Sequence, residues 1–101
     1  MILEAAMLNV KEEMTDEFEK AFEKASHIIS SREGYISHEL NKSIETPNSY
    51  LLLVRWQNLE DHTIGFRQSE EYKEWKSLLH HFYEPFPRVE HYQPLNSYTK
   101  E

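Results

Sequence analysis

A chain of 101 residues with no cysteine and a net charge of −7 fits a single domain. It excludes disulfides, thiolate nucleophiles and cysteine-held metals, and its acidic balance argues against nucleic acid, whose phosphates need clustered Lys and Arg. No segment approaches the roughly 20 apolar residues of a membrane span, and MILEAAMLNV lacks the basic start and long apolar stretch of a signal peptide, so a cytoplasmic protein is expected.

Met1 to Val10 is the first predicted strand. Ile2, Ala6, Leu8 and Val10 share one parity, with Glu4 as the exception, and Leu3, Ala5, Met7 and Asn9 share the other. Both faces are largely apolar, as in a central strand. After the polar turn Lys11-Glu12-Glu13, Thr15 is the predicted N-cap of a helix whose stripe is Phe18, Ala21, Phe22, Ala25, Ile28 and Ile29. Gly34 stops it. Tyr35 to Ser43 predicts a strand with Ile36, His38 and Leu40 on its apolar side, turning at Glu45-Thr46-Pro47-Asn48. Tyr50 to Trp56 is apolar at nearly every position, so it reads as a strand covered on both faces.

Leu59 to Gly65 predicts a short helix capped by Asn58 and broken at Gly65. Ser69 caps a longer one, with Tyr72, Trp75, Leu78, Leu79 and Phe82 on one face. Pro85 and Pro87 end it, and Arg88 to Tyr92 is the last strand. The order β-α-β-β-α-β is the ferredoxin-like arrangement, an α+β fold with an antiparallel sheet. The domain is expected over residues 1–95, with a polar tail at 96–101. Two helices cover one face of such a sheet. The bare face would leave an apolar patch that soluble monomers avoid, so a homodimer packed sheet to sheet is expected.

Three stretches carry a resemblance: Gly34-Tyr35 after the first helix, Leu51-Leu52-Leu53-Val54-Arg55-Trp56, and Phe66-Arg67-Gln68-Ser69-Glu70-Glu71-Tyr72 with Trp75. With Pro87, Val89 and Tyr92 in the last strand, the chain resembles the antibiotic biosynthesis monooxygenase (ABM) family of dimeric α/β barrels. The resemblance implies a pocket between helices and sheet within each subunit. It implies small-molecule oxygenation without metal or flavin in some members, haem breakdown in another branch, and no known activity in others. Many members have a His where Phe66 stands, and another in the slot of Glu71 or Tyr72; neither is His here. The haem branch's Asn, Trp and His fall at Ala6, Phe66 and Lys76, and none matches, so haem is disfavoured and no cofactor is expected.

The candidate catalytic residues are His38, Tyr72 and His80. His38 lies on the apolar parity of its strand, where it is either a buried structural histidine or a pocket base. His80 and His81 point about 100° apart, which is wrong for a shared metal; His80 flanks the helix face beyond Leu79. His62 and His91 are expected at the surface. Phe66, Tyr72, Trp75, Leu79 and Phe82 are candidates to line an apolar pocket, with Trp56 and Phe22 as its opposite wall. Glu12, Glu13, Glu70 and Glu71 read as helix starts and turns. Two glycines in the chain exclude a phosphate loop and a Rossmann fingerprint. The function this supports is monooxygenation of a quinol or polycyclic phenol. The alternatives are a non-catalytic dimeric binder of a small apolar ligand and a haem-binding relative with altered ligands.

Overall fold

The computed structural model describes residues 1–100. Four strands, β1 (Ile2–Asn9), β2 (Tyr35–Lys42), β3 (Ser49–Trp56) and β4 (Val89–Tyr92), form one antiparallel sheet in the order β2-β3-β1-β4. Two helices, α1 (Thr15–Ser30) and α2 (Glu70–Leu79), cross between them. The fold is the ferredoxin-like one the element order predicts, with the two apolar strands as central neighbours, Leu52 opposite Ala6 and Tyr50 opposite Leu8. No helix among the described residues is long and apolar enough to cross a membrane.

Strand parity decides the layers. Glu4, Ala6, Leu8 and Val10 of β1 and Tyr50, Leu52, Val54 and Trp56 of β3 are buried beneath the helices with Phe18, Phe22, Ala25, Ile29, Trp75 and Leu79. Leu3, Ala5 and Met7 of β1 and Leu51 and Leu53 of β3 point the other way, and Met7 and Leu51 are exposed. The α1 end is filled by rings, with Phe18 against Phe22, Tyr50 and Phe82 at 4.9–5.8 Å.

Four local expectations are corrected. Thr15 is the first residue of α1 and not its cap; a 3-10 turn at Glu12–Met14 leads the chain in and Met14 holds the cap position. A bulge between Tyr35 and Ser37 turns Ile36 outward, leaving His38 and Leu40 toward the helices. Gly65 does not break the short helix. The segment Asp61–Phe66 runs through it as a π-helical turn closed by Arg67 N–H donating to the His62 carbonyl at 3.2 Å. Asn58 does not cap this segment through its side chain: its backbone and side-chain N–H groups donate to Asp61 Oδ2 instead. Ser69 does cap α2, its Oγ accepting from Tyr72 N–H at 3.1 Å.

Gly34 takes a left-handed φ of +82°, and a β-carbon there would overlap the Asp61 carboxylate. Gly34→Ala is therefore expected to destabilise the protein by about 2 kcal/mol or more in urea unfolding, from αL strain plus the clash. The double variant Gly34→Ala/Asp61→Gly should recover part of that loss; no recovery would mean the clash is not the cause.

Candidate active site

One cavity of about 430 Å³ opens between the sheet and the α2 half of the molecule, within the range of small-molecule sites. Its floor is the inward face of the sheet: Glu4, Ala6 and Leu8 from β1, Leu52 from β3 and Val89 from β4. His62, Phe66 and Arg67 of the π-helical segment form one wall. Tyr72 and Trp75 of α2 with His80 form the second, and Tyr83, Phe86, Pro87 and Arg88 close it on the approach to β4. The hollow exists because Ala6 is small where Val89 pairs beside it and because α2 spans 10 residues against 16 for α1.

The polar centre is Glu4. It is buried among apolar groups on the inward parity, and Trp56 Nε1–H donates to its Oε1 at 2.9 Å. Burial pushes its pKa from 4.5 up to about 7, against the smaller lowering effects of the Trp56 bond and the Arg67 charge. His62 Nε2 lies 3.4 Å from the same oxygen, and its ring stacks on Trp56 with centroids 5.4 Å apart. Burial, then Arg67 and His91, drive the His62 pKa down to about 3. The imidazole is neutral at pH 7, so the Glu4–His62 contact is not an ion pair at that pH. His62 Nδ1 meets His91 Nε2 at 2.8 Å, and His91 is Glu4's cross-strand partner on β4. Glu4, His62 and His91 thus form a chain of polar contacts from the cavity floor to a half-buried ring at the sheet edge.

Of the residues singled out from sequence, Phe66, Tyr72, Trp75 and His80 line this cavity. Burial raises the Tyr72 pKa and lowers that of His80. Trp56 stands behind the lining as Glu4's donor. Phe22, Leu79 and Phe82 lie in the packed core; Phe22 meets Trp75 edge-on at 5.8 Å. His38 is outside the cavity, held between the Tyr35 hydroxyl at 2.6 Å and Ser26 Oγ at 3.0 Å. His62 and His91 are not surface residues as expected: His62 is 3% exposed and His91 half-buried. Among the described residues no group of three His, Asp or Glu side chains is arranged to hold a metal ion.

Comparison with known proteins follows the same outline. The family model described as antibiotic biosynthesis monooxygenase matches residues 1–78. The uncharacterized protein YczJ of Bacillus subtilis (strain 168) is 60% identical over 95 residues, covering 94% of this chain and all of that one. A crystal structure from Bordetella bronchiseptica, provisionally named an antibiotic biosynthesis monooxygenase, superposes with a TM-score of 0.89 at 30% identity, over 94% of this chain and 97% of that one. SnoaB of Streptomyces nogalater, a cofactor-independent oxygenase, superposes at 0.82 over 98% of this chain and 97% of its own, and at 15% identity it speaks to fold alone.

A carboxyl held protonated by the fold contributes stability that is full below the unfolded value of 4.5 and lost as pH rises through about 7. Glu4→Gln keeps an acceptor for Trp56 without the charge. Relative to the wild type it should therefore gain about 3 kcal/mol between pH 4.5 and pH 8.5, read from urea unfolding at each pH. A flat difference across that window would show that Glu4 ionises normally. The His62 contribution runs in the opposite sense between about 3 and 6.5 and is to a first approximation common to both proteins.

Proposed function

The chain belongs to the antibiotic biosynthesis monooxygenase family, and from that premise we propose that it oxygenates a quinol or polycyclic phenol within the α2 cavity, without a metal or flavin. The observation that carries this is the buried Glu4 carboxyl on the floor of an aromatic-walled cavity, with a pKa raised to about 7. A general base is most effective when its pKa lies near the working pH. Glu4 takes the proton of the substrate hydroxyl. The resulting anion is electron-rich enough to attack dioxygen itself. One oxygen atom stays on a ring carbon and the other leaves as water, so a quinol and dioxygen give a hydroxyquinone and water with the substrate as sole reductant. His62, neutral at pH 7 and linked to His91, packs against the carboxyl edge without charging it and so keeps the Glu4 pKa near 7. Tyr72 and His80 supply polar atoms to the substrate, while Phe66 and Trp75 stack on its ring and exclude water.

The haem branch of the family does not fit these residues. Ala6 and Phe66 bring no polar atom to the cavity, and Lys76 is an exposed residue of α2 that does not line it. A purely passive binder of an apolar ligand would not need a buried carboxyl poised near pH 7 on the cavity floor. The test is oxygen uptake with 1,4-dihydroxynaphthalene above the autoxidation blank, with ¹⁸O₂ to follow the product. We expect the rate to rise with pH through about 7, and Glu4→Gln to lower kcat/KM by about 100-fold or more. Uptake no faster than the blank, or product without the label, would refute the oxygenase reading.

The bare sheet face supports a second part of the proposal, a homodimer closed as an α/β barrel. Leu3, Ala5, Met7, Leu51 and Leu53 form a contiguous apolar field across the two central strands, with Met7 opposite Leu51 and Ala5 opposite Leu53. Tyr92 extends it on β4 opposite Leu3. A face-to-face pair burying about 800 Å² per subunit is a standard interface. Sedimentation at micromolar concentration should give twice the 12.2 kDa chain mass, and Leu53→Lys should dissociate or unfold the pair. A compact wild-type monomer would end the barrel proposal.

A further inference from the structure

The cavity has a charge character that the overall composition hides. The chain carries 18 acidic and 11 basic residues, yet the cavity walls hold two arginines, Arg67 and Arg88, and one acid, Glu4. That acid is half neutral near pH 7. The His62 imidazole that shares the cavity is uncharged. Arg67 forms no salt bridge among the described residues, and its charge reaches inward, favouring the deprotonated forms of Glu4, His62, Tyr72 and His91. Arg88 has only a 3.5 Å contact to Glu90 in which both side chains are exposed, an arrangement worth little to either partner. Arg67 and Arg88 thus line a largely apolar hollow in an acidic protein, Arg67 with no salt bridge among the described residues and Arg88 with only the exposed Glu90 contact.

From this we infer that the cavity's ligand is an aromatic acid: a flat ring system bearing a carboxylate or equivalent anion, its ring against Phe66 and Trp75 and its anion held at the mouth by Arg67 and Arg88. Guanidinium recognises a planar oxyanion through paired N–H donors, and loses less hydration on doing so than an ammonium would. The positive cavity also draws anions inward against the repulsion of the −7 chain. The inference rests on the cavity being the substrate site and narrows the substrate from phenols in general to phenols that carry an acid group.

The test compares two ligands that share a skeleton, 1-hydroxy-2-naphthoate and 1-naphthol, by calorimetric titration at pH 7, where only the first is ionised. We expect the naphthoate to bind more tightly by about ten-fold, the scale of one charge-assisted contact. The preference should vanish in Arg67→Gln/Arg88→Gln and persist in Lys24→Gln, which removes a cation from α1 far from the cavity. Both arginines are exposed, so the double variant should keep the wild-type circular dichroism spectrum. Equal affinities in the wild type, an undiminished preference in the double variant, a preference lost equally in Lys24→Gln, or no saturable binding of either ligand overturns the inference. The titration needs no turnover. Tight naphthoate binding without oxygen uptake would refute the oxygenase reading alone, and oxidation of naphthol without an acid preference would refute this one alone.

Discussion

Holding a carboxyl group beside Val54 and Trp56 under the helical layer imposes a desolvation cost that no single hydrogen bond offsets. The arrangement around Glu4 follows from that cost. Trp56 spends its one donor on Oε1. His62 stacks on the same indole and faces the carboxyl edge, and His91 on the neighbouring strand holds the far nitrogen of that ring. None of these groups supplies a full positive charge at the carboxyl, so the carboxyl keeps its proton to about pH 7. A lysine in place of His62 would stabilise the anion and lower the pKa; the uncharged imidazole leaves it poised.

The two ends of the helical layer are built differently for a related reason. Beneath α1 the sheet carries Tyr50, and Phe18, Phe22 and Phe82 fill the space to it ring against ring. Beneath α2 the sheet carries Ala6, and the chain leaves the helix after Leu79 through a 3-10 turn. The π-helical segment before α2 turns His62 and Phe66 inward together while Ile64 stays exposed. Wide helical turns of this kind recur at functional sites. Here the turn delivers a ring to the carboxyl and a wall to the cavity in six residues. One end is packed solid with rings; the other holds the cavity and its buried carboxyl.

Strand parity and helical spacing were enough to read the element order, the central position of β1 and β3, the Ser69 cap and four of the cavity-lining residues. The site's polar centre was not legible in the same way. Glu4 registers in the sequence as an acid on an otherwise apolar parity, which is the signal that could have found it. Parity says which face a side chain takes, not what packs above it. His62 and His91 are 29 positions apart, and no local pattern joins them; their contact is made by the π-helical turn, and Gly65 in that turn reads as a helix breaker. The spacing of four between His62 and Phe66, which puts both on one side of a helical turn, is the signal that was available.

β1 offers a practical handle because its two sides serve different ends. Glu4, Ala6 and Leu8 shape the cavity, and Leu3, Ala5 and Met7 form the bare face. A mutagenesis library that randomises alternate codons of this strand would therefore sort into two phenotypic classes. Changes at Ala6 and Leu8 would alter the shape of the cavity, and changes at Glu4 its polar centre. Odd-numbered changes would act on the bare face and the pairing proposed for it, with the cavity lining left in place. Within one eight-residue segment, reshaping the cavity and altering the bare face become separable tasks.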